Sequence, residues 1–316
     1  MDRLLVTGGA GFIGSHLCDA LLARGTQVRV LDDLSSGRRD NLPDGVELIV
    51  GDVADPAAAR AALEGMDGCF HLAAIASVQR AAEDWLGTNR VNLVGTIALL
   101  DAARARRLPV VYASSAAVYG NCAIQPIGED APTRPLSAYG ADKLACELHA
   151  AVATGVHGVP TTGLRFFNVF GPRQDPASPY SGVISIFAAQ LQRGAPVTLF
   201  GDGAQTRDFI SVTDVVAALL AAMTRLRAGG TSPGAMARAE VFNVCTGQAT
   251  SVLDLARTIA ELCGLTPELR QGPAREGDIR HSVGNPAAAR AGLGFAAGTS
   301  LREGLAQVLA WLAGRT

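Results

Sequence analysis

The chain has 316 residues, of which 48% are hydrophobic and 18% charged, and its net charge is −2. That length supports a large core in one or two domains, and the near-neutral balance excludes a general nucleic-acid or membrane-surface binder. The longest clean apolar run, Val215 to Met223, is far short of the roughly 18 residues a spanning helix needs. In chain order, Leu4–Thr7 reads as a strand, Phe12–Arg24 as an amphipathic helix and Gln27–Leu31 as a second strand ending at Asp32. Val46–Val50 and Cys69–Leu72 follow as strands, then a long helix from near Trp85 to Arg106 and a strand at Val110–Ala113. A helix from Tyr139 to about Ala153 precedes a strand at Thr161–Leu164. Apolar strands alternating with helices predict an α/β fold, a Rossmann-type doubly wound parallel sheet. After Arg165 the rhythm breaks into loop chemistry at 171–179, and 229–234 reads as an exposed connection. The expected plan is a nucleotide-binding domain over 1–165 and 210–248, with a smaller substrate-binding domain over 166–209 and 249–316.

Six cysteines are scattered without a CxxC pair or metal-ligand spacing, and no basic, apolar leader precedes the first strand. Free thiols in a reducing, cytoplasmic setting are expected. His71, His149, His157 and His281 lack metal spacing and read as structural or surface residues.

Gly8, Gly11 and Gly14 form a GxxGxxG run between the first strand and the first helix. Glycine permits the tight turn and close approach that a dinucleotide pyrophosphate requires, and the helix start offers free N–H groups. Asp32 ends the second strand where a carboxylate accepts both adenosine ribose hydroxyls and repels a 2′-phosphate, which favours NAD. Arg38 and Arg39 follow closely and leave NADP open. Asp52 and Val53 are placed to flank the adenine, with a simple turn as the other reading of Asp52.

Tyr139 and Lys143 stand at i and i+4 on one helix face. An adjacent ammonium favours the phenolate, which accepts the proton of a carbinol hydroxyl while hydride leaves the same carbon. Ser115 closes the strand Val110–Ala113 and is expected either to bond the reacting oxygen or to cap a turn.

These residues resemble the extended short-chain dehydrogenase/reductase superfamily, and in particular its NAD-dependent sugar-nucleotide epimerases, over essentially the whole chain. Further stretches carry the likeness: Asp32–Gly37, His71–Ala74, Asn92–Thr96, Ser114–Gly120, Arg165–Arg173, Gly201–Phe209 and Arg275–Asp278. The resemblance implies a catalytic set of Ser115, Tyr139 and Lys143. It implies tightly bound NAD held by Gly8, Gly11, Phe12, Ile13, Gly14, Asp32, Asp33, Ser35, Ser36, Gly37, Asp52, Val53, Leu72, Ala73, Ala74, Asn92, Tyr139 and Lys143. For a UDP-sugar substrate it implies Ser77, Ser115, Tyr139, Asn168, Val183, Thr198, Phe200, Arg207, Arg275, Asp278 and Ser282. Two arginines suit a pyrophosphate and a carboxylate suits the uridine ribose. Core packing is an equal reading of Phe200, and a surface ion pair is the other reading of each arginine.

Related 4,6-dehydratases carry Asp-Glu just after the catalytic Ser/Thr, and related decarboxylases carry a Glu there. This chain has Ala116-Ala117, which leaves no carboxylate to abstract a C5 proton and points to 4-epimerisation through a transient 4-keto sugar. UDP-glucose epimerases of bacterial type have a bulky Tyr where Ser282 stands; a small residue leaves volume for a 2-acetamido group. UDP-GlcNAc/UDP-GalNAc is therefore the expected substrate pair, with UDP-glucose or, through Arg80, UDP-glucuronate as alternatives. A net dehydrogenase or reductase and a non-catalytic NAD-sensing module are the readings from other classes. Apolar residues on two helices (Leu93, Ile97, Leu100; Leu144, Leu148, Val152) suggest a homodimer built on a four-helix interface, as in the family.

Overall fold

The computed structural model describes residues 2–176, 182–229, 240–274 and 279–314. The first half is β1 (Arg3–Thr7), α1 (Phe12–Leu22), β2 (Gln27–Asp32), β3 (Glu47–Val50), α2 (Pro56–Leu63) and β4 (Gly68–His71). Next come α3 (Val78–Glu83), α4 (Trp85–Asn89), a π-helical turn (Arg90–Val94), α5 (Gly95–Ala103), β5 (Val110–Ser115), α6 (Ala138–His157) and β6 (Thr161–Phe166). The remainder is β7 (Asn168–Phe170), α7 (Val183–Gln192), β8 (Val197–Phe200), β9 (Thr206–Arg207), β10 (Phe209–Ser211) and α8 (Val212–Arg227). It closes with β11 (Glu240–Val244), β12 (Thr250–Ser251), α9 (Val252–Leu262), β13 (Leu269–Gly272), β14 (His281–Ser282), α10 (Ala287–Leu293) and α11 (Leu301–Ala313).

Seven strands form one parallel sheet in the order β11-β6-β5-β4-β1-β2-β3. The order reverses between β1 and β4, so the crevice at their C-terminal ends is the ligand-binding position of such a sheet. Leu5, Val6, Val110 and Val111 are fully buried because helices cover both faces. One face packs on α1, α8 and α10 through Leu17, Leu21, Val215, Leu219 and Ala289. The other packs on α2, α5 and α6 through Leu63, Leu99, Ala103 and Ala153. A separate apolar cluster joins α7, α9 and α11 with β8 and β10, through Phe187, Leu199, Phe209, Ile259 and Leu305.

The helix expected over Trp85–Arg106 is interrupted. At Arg90–Val94 it widens to a π turn, and the α-helix ends at Ala103. Within that turn the Asn92 carbonyl accepts from the Thr96 hydroxyl at 2.6 Å and from Cys146 Sγ at 3.3 Å. The inserted residue aims the Asn92 amide at Ile75, whose N–H it accepts at 2.8 Å. Helix α6 is longer than the sequence suggests: Ser137 caps its start on the Gly140 N–H, and Gly158 ends it at φ +70. Helix α2 lies outside the alternating apolar pattern, although Asp55 and Pro56 carry its start signal. The connection expected at 229–234 falls, beyond Gly229, outside the described residues, as do 177–179 of the expected loop. No helix among the described residues is long and apolar enough to cross a membrane.

Candidate active site

The glycine-rich turn between β1 and α1 is shaped by close backbone approach. Gly8 has φ +70, and a Cβ there would lie 2.7 Å from the Ala73 nitrogen. A Cβ on Gly14 would strike the Gly8 carbonyl, and one on Gly9 would strike Val30, a requirement that the GxxGxxG spacing does not include. Helix α1 then begins at Gly11 with no side-chain cap and no acidic residue in its first turn. By contrast α2, α3, α4, α6, α8, α9 and α11 each begin with a side-chain cap. The N–H groups at Phe12 and Ile13 and the positive end of the helix are thus directed at the crevice, where an anion is favoured.

Asp32 borders the same turn. Its two carboxylate oxygens accept the Ala10 and Leu34 N–H groups, each at 2.9 Å. Burial raises its carboxyl above the ordinary range against the opposing pull of those two bonds. Each oxygen retains a lone pair for a further donor. Gly37 is pressed against this carboxylate, 2.9 Å from Oδ1 to an added Cβ. Ser35 folds back on Asp33 through its N–H and hydroxyl, and Ser36 is exposed beside it. The Arg38 guanidinium is taken by Asp175 at 2.6 Å. Asp52 binds Arg90 at 2.6 Å and caps the Ala54 N–H, while Val53 is buried in the core against Gly95.

Beyond β4, Leu72, Ala73 and Ala74 are half-buried along the crevice. This segment is tied by a chain of hydrogen bonds that no sequence spacing signals. Thr96 donates to the Asn92 carbonyl, so it accepts from His71 Nε2 at 2.9 Å. His71 Nδ1 is then an acceptor and receives the Thr7 hydroxyl at 2.8 Å; Thr7 Oγ1 in turn accepts the Ala73 N–H at 3.2 Å. Burial, aided by the Lys143 charge, pulls the His71 pKa down to about 3, which fits this neutral tautomer. Both ring nitrogens of His71 are thus taken up by hydroxyl partners inside the fold.

Tyr139 and Lys143 lie on the first turns of α6, with the ammonium 6.0 Å from the phenol ring centre. Lys143 is buried and donates to the Ala113 carbonyl at 2.9 Å, which ties α6 to the end of β5. Ser115 ends β5 half-buried, and its hydroxyl caps the Ala117 N–H at 3.1 Å, so it serves as a turn cap at the position predicted to meet substrate. Ser77 is also a cap, buried at the start of α3 on the Arg80 N–H.

The other predicted substrate residues are spread over the small sheets. Asn168 begins β7 and is exposed; Val183 is the first residue of α7. On β8, Val197 and Leu199 face the core, while Thr198 and Phe200 line the other side, both against Gly272 of β13. Arg207 on β9 donates to the Ile279 carbonyl at 2.7 Å, and its register partner on β14 is Ser282. Arg275 and Asp278 lie outside the described residues. Asp208, next to Arg207, is fully buried: Thr246 supplies two donors, and Gly247 and Gly284 one each.

An uncapped helix start, the Asp32 carboxylate after β2 and the Tyr139/Lys143 helix thus follow the ends of β1, β2 and β5 in one parallel sheet. The profile of the NAD dependent epimerase/dehydratase family matches residues 4–245. The chain belongs to that family. A UDP-glucose 4-epimerase of Mycolicibacterium smegmatis is 40% identical over 320 residues, covering 97% of each chain. A UDP-glucose 4-epimerase of Thermotoga maritima, solved with UDP-glucose, matches with a TM-score of 0.92 at 33% identity over 99% of each chain. A UDP-N-acetylglucosamine 4-epimerase of Methanobrevibacter ruminantium, solved with UDP-N-acetylmuramic acid, matches with a TM-score of 0.92 at 32% identity, covering 100% of this chain and 99% of that one.

NAD is the cofactor of this epimerase/dehydratase family member. The residues present fit it: Gly8 keeps a tight backbone approach to Ala73 that no side chain allows, α1 is uncapped, and Asp32 has spare acceptor capacity. Of the two arginines that leave NADP open, Arg38 is paired with Asp175, and Arg39 is exposed.

Proposed function

We propose that this NAD-dependent UDP-sugar 4-epimerase interconverts UDP-GlcNAc and UDP-GalNAc through a transient 4-keto sugar. The observation that carries the substrate choice is Ser282, a small side chain that sits beside Arg207 in the β9–β14 pair. If Arg207 meets the diphosphate, Ser282 leaves volume next to the sugar, and a 2-acetamido group needs that volume. Thr198 and Phe200, turned from the core on β8, offer an edge and a ring to the uracil. Asn168, Val183 and Ser77 complete the proposed sugar and nucleotide contacts, with Arg275 and Asp278 assigned to the diphosphate and ribose by family resemblance. The segments 1–165 and 210–248 would hold the cofactor, and 166–209 and 249–316 the nucleotide sugar. A homodimer in a reducing, cytoplasmic setting completes the reading, consistent with six free cysteines.

Bound NAD supplies the hydride acceptor and then donor for C4 of the sugar. Tyr139 takes the proton of the C4 hydroxyl at its phenolic oxygen and later returns one. Lys143, fixed on the Ala113 carbonyl, holds positive charge beside that phenol. Ser115 steadies the C4 oxygen, for which its hydroxyl exchanges or shares the Ala117 cap. Ala116 and Ala117 place no carboxylate near C5, so the keto sugar turns over instead of eliminating.

The test is incubation of purified protein with UDP-GlcNAc, UDP-glucose and UDP-glucuronate, without added NAD, followed by proton NMR of the sugar. Fastest conversion of UDP-GlcNAc is expected, and Ser282→Tyr should slow it far more than the UDP-glucose reaction. Faster turnover of either other sugar, or equal slowing of both by Ser282→Tyr, removes the substrate assignment.

A further inference from the structure

Glu147 and Arg165 are opposite charges buried between sheet and helix, with side chains 7% and 8% exposed. Arg165 donates Nε to Glu147 Oε1 at 2.8 Å and Nη2 to Oε2 at 2.7 Å, a bidentate pair. The Ser114 hydroxyl donates to the same Oε1 at 2.5 Å. Arg165 also donates Nη1 to the Tyr119 hydroxyl at 2.8 Å. Stability alone gives little reason for this arrangement, because an apolar pair of similar volume serves a core as well or better.

Its placement gives a reason. Glu147 stands one turn after Lys143 and two turns after Tyr139 on α6. Ala113, Ser114 and Ser115 are consecutive at the end of β5, and Arg165 is the register partner of Ser114 on β6. The helix is therefore gripped at two levels by adjacent residues of one strand end, Lys143 on the Ala113 carbonyl and Glu147 on the Ser114 hydroxyl. A one-residue slide of a helix moves its side chains by about 1.5 Å. A misplacement of about 1 Å at reacting atoms is enough to cost about 100-fold in rate.

We propose that Glu147 and Arg165 are positioning residues, whose ion pair with Ser114 sets the height and rotation of α6 so that Tyr139 and Lys143 meet Ser115. This rests on the reading of Tyr139, Lys143 and Ser115 as the catalytic set. Two variants test it. Glu147→Leu/Arg165→Met removes both charges together and strands neither; Ser114→Ala removes a single bond and leaves the pair. Each is assayed for kcat, KM, the pH profile of kcat and NAD retained through gel filtration, with Tyr139→Phe alongside.

The double variant should retain NAD and KM but lose about 10- to 100-fold in kcat, with Ser114→Ala losing about 3- to 10-fold. The acid limb of the kcat profile should move in both, a change that loss of folded protein alone does not produce. If the double variant does not fold, Ser114→Ala decides. Wild-type kcat and an unmoved limb in the folded variants, with Tyr139→Phe inactive, overturn the positioning role alone. Wild-type activity in Tyr139→Phe overturns the catalytic set and the positioning role with it.

Discussion

Gly8 is the residue at which backbone geometry and the proposed cofactor contact depend on one missing atom. Its φ of +70 disfavours any other residue, and its Cβ position is occupied by the Ala73 backbone. Gly25 separates the two effects, with φ +74 and open space around its Cβ position. Gly25→Ala carries conformational strain alone, about 1 kcal/mol, and should lower thermal stability slightly with NAD retained. Gly8→Ala adds displacement of the Ala73 segment from Thr7 and His71. It should destabilise by about 2 kcal/mol or more, and protein that folds should elute without NAD. Equal melting temperatures and equal cofactor content in the two variants would show that the close approach at Gly8 has no functional weight.

At the scale of elements, what was legible followed from how local the signal is. The parallel sheet, α1, α6 and the pairing of Tyr139 with Lys143 come from periodicity and i,i+4 spacing, which are properties of neighbouring residues. The π turn was not legible, because its bonds reach across the chain: Asn92 meets Ile75, and Cys146 of α6 meets Asn92 and Thr96. The burial of Glu147 and Asp208 was not legible either, because it depends on Arg165 of β6 and on Thr246 after β11, which the fold brings to them. Ser115 and Ser77 were flagged as ligand contacts, and both are caps here, since a hydroxyl at a strand end suits either use.

The same logic joins the loop after β2 to the segment after β7. His16 donates Nε2 to the Pro172 carbonyl at 2.9 Å, and Arg173 pairs with Asp19 at 2.7 Å. Together with Arg38 and Asp175 these contacts hold the segment over α1. Asp175→Ala should change stability by less than about 1 kcal/mol, because the Arg38 pair is half-exposed. Released beside Asp32, the guanidinium becomes available to a 2′-phosphate. Reconstitution of the apo-protein should then give an NAD-over-NADP preference several-fold smaller than that of the wild type. An unchanged preference would mean that Arg38 does not reach the ribose.

At the scale of the molecule, Leu148, Val152 and Val156 form an i, i+4, i+8 stripe on α6, exposed by 63%, 49% and 72%. Leu100 and Leu144, read from sequence as part of the same interface, instead pack into the protein's own core. Leu93 and Ile97 are half-buried on the neighbouring helix. A second copy covering this stripe is the expected homodimer. Sedimentation of the wild type should give a dimer, and Leu148→Arg/Val152→Arg a monomer; a wild-type monomer at micromolar concentration rejects it.

The response of the whole fold to acid should depend strongly on His71. Its pKa of about 3 in the folded chain lies below the 6.5 of the free side chain. A depressed value means that the fold favours the neutral ring. The contribution is complete above about pH 6.5 and is lost as pH falls toward 3, by about 1.4 kcal/mol per unit. By pH 4.5 the loss approaches about 3 kcal/mol, a large share of a typical domain's stability. Asp32 and Asp208 act in the opposite direction, since burial raises both carboxyls. His71→Gln keeps a donor and an acceptor for Thr96 and Thr7 without a group that charges. The variant should be less stable than wild type at pH 7.5 and should close that gap as pH falls to 4.5, measured by urea unfolding at each pH. A gap that stays constant across this range would mean that protonation of His71 does not drive the acid response.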